Sequence, residues 1–236
     1  MLNKEKHQLI MVRILKDIYS DIEISSSLGF KGGTAAYLFY NLSRFSVDLD
    51  FDLINNAEEL EKVKKLVFRK IEVILKKYGI VKEKRIKRWT IFFLLSYGDA
   101  DHNIKIEIST REHNNQYEVK EYLGITMLVA KKETLFANKL AALTGRKNIA
   151  MRDVYDIYFF AQNNWDIDER IISFWICKKL KSHLGECVKK IEKISDRMIL
   201  RGLGEVLENK DKIWAKENLK KETTFLLKNY QKSLNK

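Results

Sequence analysis

The chain has 236 residues, enough for one large domain or two small ones, an ordinary apolar share and a formal net charge of +12. No stretch approaches the roughly 20 uncharged apolar residues that span a bilayer. Charges interrupt the N-terminal MLNKEKHQLIMVRILKDIYS where a secretory signal needs an unbroken apolar run, and Cys177 and Cys187 show no CxxC or Cys/His pairing, so the expectation is a cytoplasmic protein with no membrane partner, disulfide framework or zinc site.

Residues 6–24 place Ile10, Val12, Ile14, Ile18 and Ile22 at helical spacing and predict an amphipathic helix. A short strand at Leu28–Lys31 follows, then Gly32-Gly33, with Thr34 where a helix N-cap belongs ahead of AAYLFYNL. Residues 46–53 alternate strictly: Val47, Leu49, Phe51 and Leu53 point one way, and Ser46, Asp48, Asp50 and Asp52 the other. That is a half-buried strand with an acidic open face. Residues 57–78 predict a second helix that buries Val63, Val67, Ile71, Ile74 and Tyr78 and turns most of its lysines outward.

Strands are predicted over 80–88, 89–97 and 104–109, and one more short strand over 117–129. In the third, Ile104, Ile106 and Ile108 face inward while Lys105, Glu107 and Ser109 face outward. From Lys131 onward the pattern is helical, in segments of about 131–143, 152–163, 168–181, 184–194, 196–207 and 211–233. The predicted class is therefore α+β, with a mixed first half and a helical second half that meet near residue 130. Proline, which would sharpen that boundary, is absent. The charge is concentrated in residues 62–88, with twelve Lys/Arg and two Glu, and residues 178–236, with sixteen basic and eight acidic. Such blocks suit a polyanion such as nucleic acid, or form solvated helical faces. The basic segment 82–89 likewise reads as an RNA-backbone surface or as a lysine-protected edge strand. The histidines His7, His102, His113 and His183 are dispersed and show no ligand spacing.

Asp48 and Asp50, two apart on one strand, place both carboxylates on one face, roughly 6 to 7 Å apart at the backbone. Hard oxygen ligands of this kind suit Mg²⁺, with Mn²⁺ as a substitute. A two-metal site needs ions about 3.5 to 4 Å apart, and a third carboxylate from a neighbouring strand helps supply it. Glu107, in the same alternating phase, is the natural third. Asp52 is a secondary candidate on the same face. The Gly32-Gly33-Thr34 turn at a helix start offers backbone N–H groups and a helix N-terminus to a phosphate.

The run Phe30-Lys31-Gly32-Gly33-Thr34-Ala35-Ala36 and then Arg44-Phe45-Ser46-Val47-Asp48-Leu49-Asp50-Phe51 resembles the AbiEii/AbiGii toxin family of the nucleotidyltransferase superfamily, the MenT-like toxins of type IV toxin–antitoxin systems. Lys139-Leu140-Ala141-Ala142, Arg146 and Arg152-Asp153-Val154-Tyr155-Asp156-Ile157 resemble that family's second signature, so the likeness covers residues 28–160. It implies a nucleotidyltransferase-like mixed sheet flanked by helices over 1–130, and a helical domain over 131–236 that completes the nucleotide site and binds the acceptor. It also implies Mg²⁺-dependent transfer of a nucleotidyl group from an NTP to tRNA or other RNA, by a toxin with a cognate antitoxin.

On this resemblance Asp48, Asp50 and Glu107 hold metal, while Gly32, Gly33, Thr34, Lys139 and Asp153 bind nucleotide; Arg44 and Ser46, which flank the acidic strand, either bind the nucleotide through its phosphates or are solvated loop residues. Lys139 borders the buried side of its helix, where it either snorkels or contacts the triphosphate. Asp156 either pairs with Arg152 at i+4, positions Lys139 or serves as a base. Transfer to a protein hydroxyl or a small molecule such as an antibiotic, and a catalytically silent nucleotide- or RNA-binding module, stay open as alternatives.

Overall fold

Asn3 starts the first helix: its side-chain oxygen accepts the Lys6 N–H at 3.0 Å, and α1 runs Lys4–Ser20 with His7, Met11, Ile14, Leu15 and Ile18 buried. The helix ends two residues before Ile22, which is 91% exposed instead of completing the predicted stripe. In this computed structural model, residues 3–54, 59–98 and 102–234 are described. The chain forms two units, one of Met1–Asn41, Ser46–Glu112 and Tyr117–Ala130, the other of Leu42–Phe45, His113–Gln116 and Lys131–Lys236.

The first unit holds a mixed sheet of β1 Leu28–Lys31, β2 Asp48–Leu53, β3 Ile80–Lys87, β4 Thr90–Ser96, β5 Ile104–Ser109, β6 Tyr117–Tyr122 and β7 Ile125–Ala130. Its order is β3-β4-β5-β2-β1-β7-β6, with β2/β5 and β1/β7 parallel and the other pairs antiparallel. One face is apolar because every second residue is. Phe30, Leu49, Phe51, Ile91, Phe93, Ile106 and Ile108 have no exposed surface, and burying each is worth roughly 1.5–3 kcal/mol. α1 packs against β7, and α3 (Leu60–Lys76) packs against β3 and β4. Residues 57 and 58 of the predicted second helix lie outside the described residues.

Two local expectations are corrected here. The stretch predicted as one strand over 117–129 is a hairpin, because Leu123 (φ 49°) and Gly124 (φ 76°) make a left-handed two-residue turn. Thr34 does not cap a helix: α2 spans Gly32–Tyr40, Lys31 occupies the cap position and Thr34 lies inside the first turn.

The second unit is helical: α4 Lys132–Gly145, α5 Met151–Gln162, α6 Glu169–Ile176, α7 Leu180–Glu192 and α8 Asn209–Ser233. α4 packs on α5, α6 and α7, and α8 on α5 and α7. The predicted helix over 196–207 is only a 3-10 turn at Asp196–Met198 followed by turns, with Gly202 at φ 67° taking a conformation that a helix does not allow. Segment Leu42–Phe45 is tied into this unit: the Phe45 N–H donates to the Val206 carbonyl at 3.0 Å, and the Ser43 and Tyr155 hydroxyls meet at 2.9 Å. Among the described residues, no helix is long and apolar enough to cross a membrane.

Candidate functional site

The register of β2 assembles the first cluster. Asp50 pairs with Lys31 of β1 on one side and Glu107 of β5 on the other; one step along, Asp48 pairs with Lys105. Residues in register project to the same face, so these side chains emerge opposite the Leu49–Phe51 core. The Lys105 Nζ lies 3.5 Å from Asp48 Oδ2 and 3.7 Å from Glu107 Oε2. Burial pushes the Asp50 carboxyl above the usual carboxylate range, opposed by Lys105 and Lys31 and reinforced by Asp48 and Glu107. Lys105 stays a firm cation: burial works against its charge, but Asp50, Asp48 and Glu107 outweigh it.

Three carboxylates facing one cation are a hard-oxygen donor set of the kind Mg²⁺ takes. Among the described residues, no group of three or more His, Cys, Asp or Glu side chains meets in the geometry of a metal site. The ground between Asp48 and Glu107 is held by the Lys105 ammonium. Sequence reasoning placed Lys105 on this face but gave it no role; the available signal was a lysine two residues before the third carboxylate.

The turn before α2 is fitted to Asp50. Gly32 has φ +79°, and a Cβ there would lie 2.5 Å from Asp50 Oδ2. Only glycine allows both the backbone conformation and the close approach. Gly32→Ala is therefore expected to displace the Asp50 carboxylate, to cost about 1–3 kcal/mol in urea unfolding and to lower transfer far more than that loss of stability explains. Retained activity would separate Gly32 from the site. The first turn of α2 receives no side-chain cap. Gly33 and Thr34 are buried within it, and the Thr34 hydroxyl donates to the Asp48 carbonyl, tying helix to strand. Ser46 is buried just ahead of β2.

Asp52 departs from the expected open face. It is 1% exposed and accepts from Lys31 Nζ and the Tyr117 hydroxyl, each at 2.5 Å. It is a structural anchor in the first unit.

The second unit carries its own cluster. Arg44 donates through Nε and Nη2 to Asp156 at 2.6 and 2.7 Å, and Lys139 Nζ reaches Asp153 at 2.7 Å and Asp156 at 2.8 Å. Arg146 also pairs with Asp153. Arg44, Asp153 and Asp156 are buried, so the guanidinium expected in an open loop near phosphate is instead committed to a carboxylate. Burial alone would raise the Asp156 carboxyl, but Arg44 and then Lys139 hold it below the usual range. A carboxylate already paired with a guanidinium and an ammonium is a poor general base near neutral pH. Its geometry is that of an anchor for the Lys139 ammonium, which does not snorkel to solvent.

A mixed sheet whose central strand presents paired carboxylates beside a glycine turn at a helix start has the construction of a nucleotidyltransferase. The chain belongs to the family of the nucleotidyl transferase AbiEii toxin, Type IV TA system, whose model matches residues 13–222. It is thus a nucleotidyltransferase of a toxin family. Its fold is similar to that of JHP933 from Helicobacter pylori, at a TM-score of 0.65 and 24% identity over 100% of this chain and 94% of that one. A second H. pylori structure, of a protein named as a candidate nucleotidyltransferase, gives a TM-score of 0.64 at 24% identity over 100% and 97% of the two chains. Among curated proteins none matches the chain.

Proposed function

We propose that this toxin is an Mg²⁺-dependent enzyme that transfers a nucleotidyl group from an NTP to RNA, with tRNA first among acceptors. The observation that carries the reading is the convergence at Asp50: Glu107 beside it in register, Asp48 two residues before it, and Gly32 at the start of α2 against its carboxylate. Asp48, Asp50 and Glu107 would hold the metal, which when bound supplies positive charge at the reacting phosphate; Mn²⁺ would serve as a substitute. The uncapped first turn of α2, from Gly32 through Thr34, offers N–H groups and the helix dipole to NTP phosphates. Lys139, kept charged and oriented by Asp153 and Asp156, is assigned a contact with the triphosphate. In the reaction an acceptor hydroxyl gives its proton to solvent as its oxygen bonds the α-phosphorus, and the bond to the β-phosphate bridge breaks to release pyrophosphate.

An RNA acceptor fits the basic edge strand β3. Lys82 and Lys87 make no ion pair among the described residues. The Arg88 guanidinium stands 4.7 Å from the Trp89 ring, whose residue is 42% exposed, and Arg85 stands 5.6 Å from Phe92. A cation beside an exposed aromatic such as Trp89 suits phosphate backbone and unstacked bases. Such a toxin acts in the cytoplasm and is restrained by a cognate antitoxin.

The test is incubation of the pure protein with each labelled NTP, Mg²⁺ and total tRNA. Label is expected in RNA, lost with Asp48→Ala, and weakened as salt rises. Label in protein or small-molecule fractions would move the acceptor to those classes. No transfer to any fraction, with Asp48→Ala indistinguishable from the parent, would overturn the proposal.

A further inference from the structure

One basic side chain sits inside the acidic cluster without a part in the chemistry above. Lys105 is the register partner of Asp48, and its ammonium stands 3.5 Å from Asp48 and 3.7 Å from Glu107. These are distances of a cation shared between two carboxylates and committed to neither. The lysines that face the buried aspartates Asp52, Asp153 and Asp156 sit closer: Lys31 lies 2.5 Å from Asp52, and Lys139 2.7 and 2.8 Å from its two aspartates. The Lys105 side chain is also 34% exposed, against 17% for Lys139. On its other flank β4 presents Leu94, which offers the ammonium no charge. A lysine stem has four carbons and a compact head, so its charge moves without moving the strand.

The fixed carboxylates explain why a cation belongs there. Asp48, Asp50 and Glu107 stand on adjacent strands about 4.8 Å apart, and their mutual repulsion needs a positive charge whether or not substrate is present. Resting on the metal reading above, we propose that Lys105 is the resident counter-ion of the cluster. Its ammonium holds the ground where carboxylates and a divalent cation would meet, so metal binds only in exchange for it, and the phosphates of the incoming NTP receive the displaced charge. Free metal then binds weakly, while metal and nucleotide bind cooperatively, each favouring the state in which Lys105 has moved. Lys105 is in this sense a positioning and gating residue for metal loading.

The experiment is Mn²⁺ binding to the whole protein, followed by electron paramagnetic resonance without nucleotide. Lys105→Met and Lys105→Gln are expected to bind Mn²⁺ about tenfold or more tightly than the parent, and Lys105→Arg to resemble the parent, because only the first two remove the competing charge. Adding a non-hydrolysable NTP analogue should narrow the gap, the parent gaining more than the neutral variants. Circular dichroism reports folding, and if Lys105→Met does not fold the neutral, polar Lys105→Gln decides. Neutral variants that bind Mn²⁺ no more tightly than the parent, or a gap unchanged by nucleotide, would overturn the exchange. A different result reports on the metal site itself: Mn²⁺ binding to Lys105→Met that is undiminished when Asp50→Asn is added would place the metal elsewhere.

Discussion

Asp50→Asn is expected to fold as well as the parent or better, while its nucleotidyl transfer falls at least about 1000-fold. The two halves of this result have one cause. Burial shields Asp50 from water, and with Asp48 and Glu107 it outweighs Lys105 and Lys31, so its folded-state pKa lies above the ordinary carboxylate value. With the folded value raised, the ionised side chain costs folding stability at neutral pH, and that cost fades as pH falls through the raised value and is gone below the ordinary one. A neutral amide of the same shape removes the cost and fits against Gly32 as the carboxylate does. The gain is expected at up to about 1 kcal/mol in urea unfolding. The same substitution removes a central anionic ligand of the proposed metal site, which an amide replaces poorly. Measuring unfolding and transfer on one preparation checks both. A variant that loses activity and more than about 2 kcal/mol of stability together would make Asp50 a structural residue.

What the sequence disclosed and what it withheld follow from the range of the interactions. The strand alternations around Asp48–Asp50 and Lys105–Glu107 are local, with a period of two, and both strands were legible from it. That β2 and β5 are neighbours in parallel, with Asp50 opposite Glu107, depends on strand order, which periodicity does not encode. Asp52 shows the cost of that gap. It has the same phase as Asp50, yet the Tyr117 hydroxyl and Lys31 cover it, and Tyr117 gets there because Gly29 has no side chain: a Cβ at Gly29 would lie 2.2 Å from the Tyr117 ring. Arg44 is a second instance. Beside an acidic strand it looks like a loop arginine, but the four residues Leu42–Phe45 belong to the helical unit, and its partner Asp156 lies 112 positions away. The break over 196–207 was more accessible, since Gly202 and Gly204 stand in the middle of the predicted helix.

Asp156→Ala is expected to destabilise the protein by about 3–5 kcal/mol, because it strips the counter-charge from a buried Arg44 and takes one of two partners from Lys139. Replacing the pair together, as Arg44→Met with Asp156→Leu, should cost less than the two single changes summed, since no guanidinium is left unpaired. The pH dependence carries its own sign. The Asp156 carboxyl is held below its ordinary value of 3.8, so its contribution is fully present above that value and lost as pH falls through the lower folded-state value. The stability gap between parent and Asp156→Ala should therefore stay flat from neutral pH down toward that ordinary value and narrow only below it. Transfer by Asp156→Ala should fall at temperatures where the variant is still folded, because Lys139 loses the carboxylate that aims it. If stability stays within about 1 kcal/mol of the parent while transfer is abolished, Asp156 acts on the reacting groups directly, and the anchoring role that its double Arg44 contact indicates is wrong.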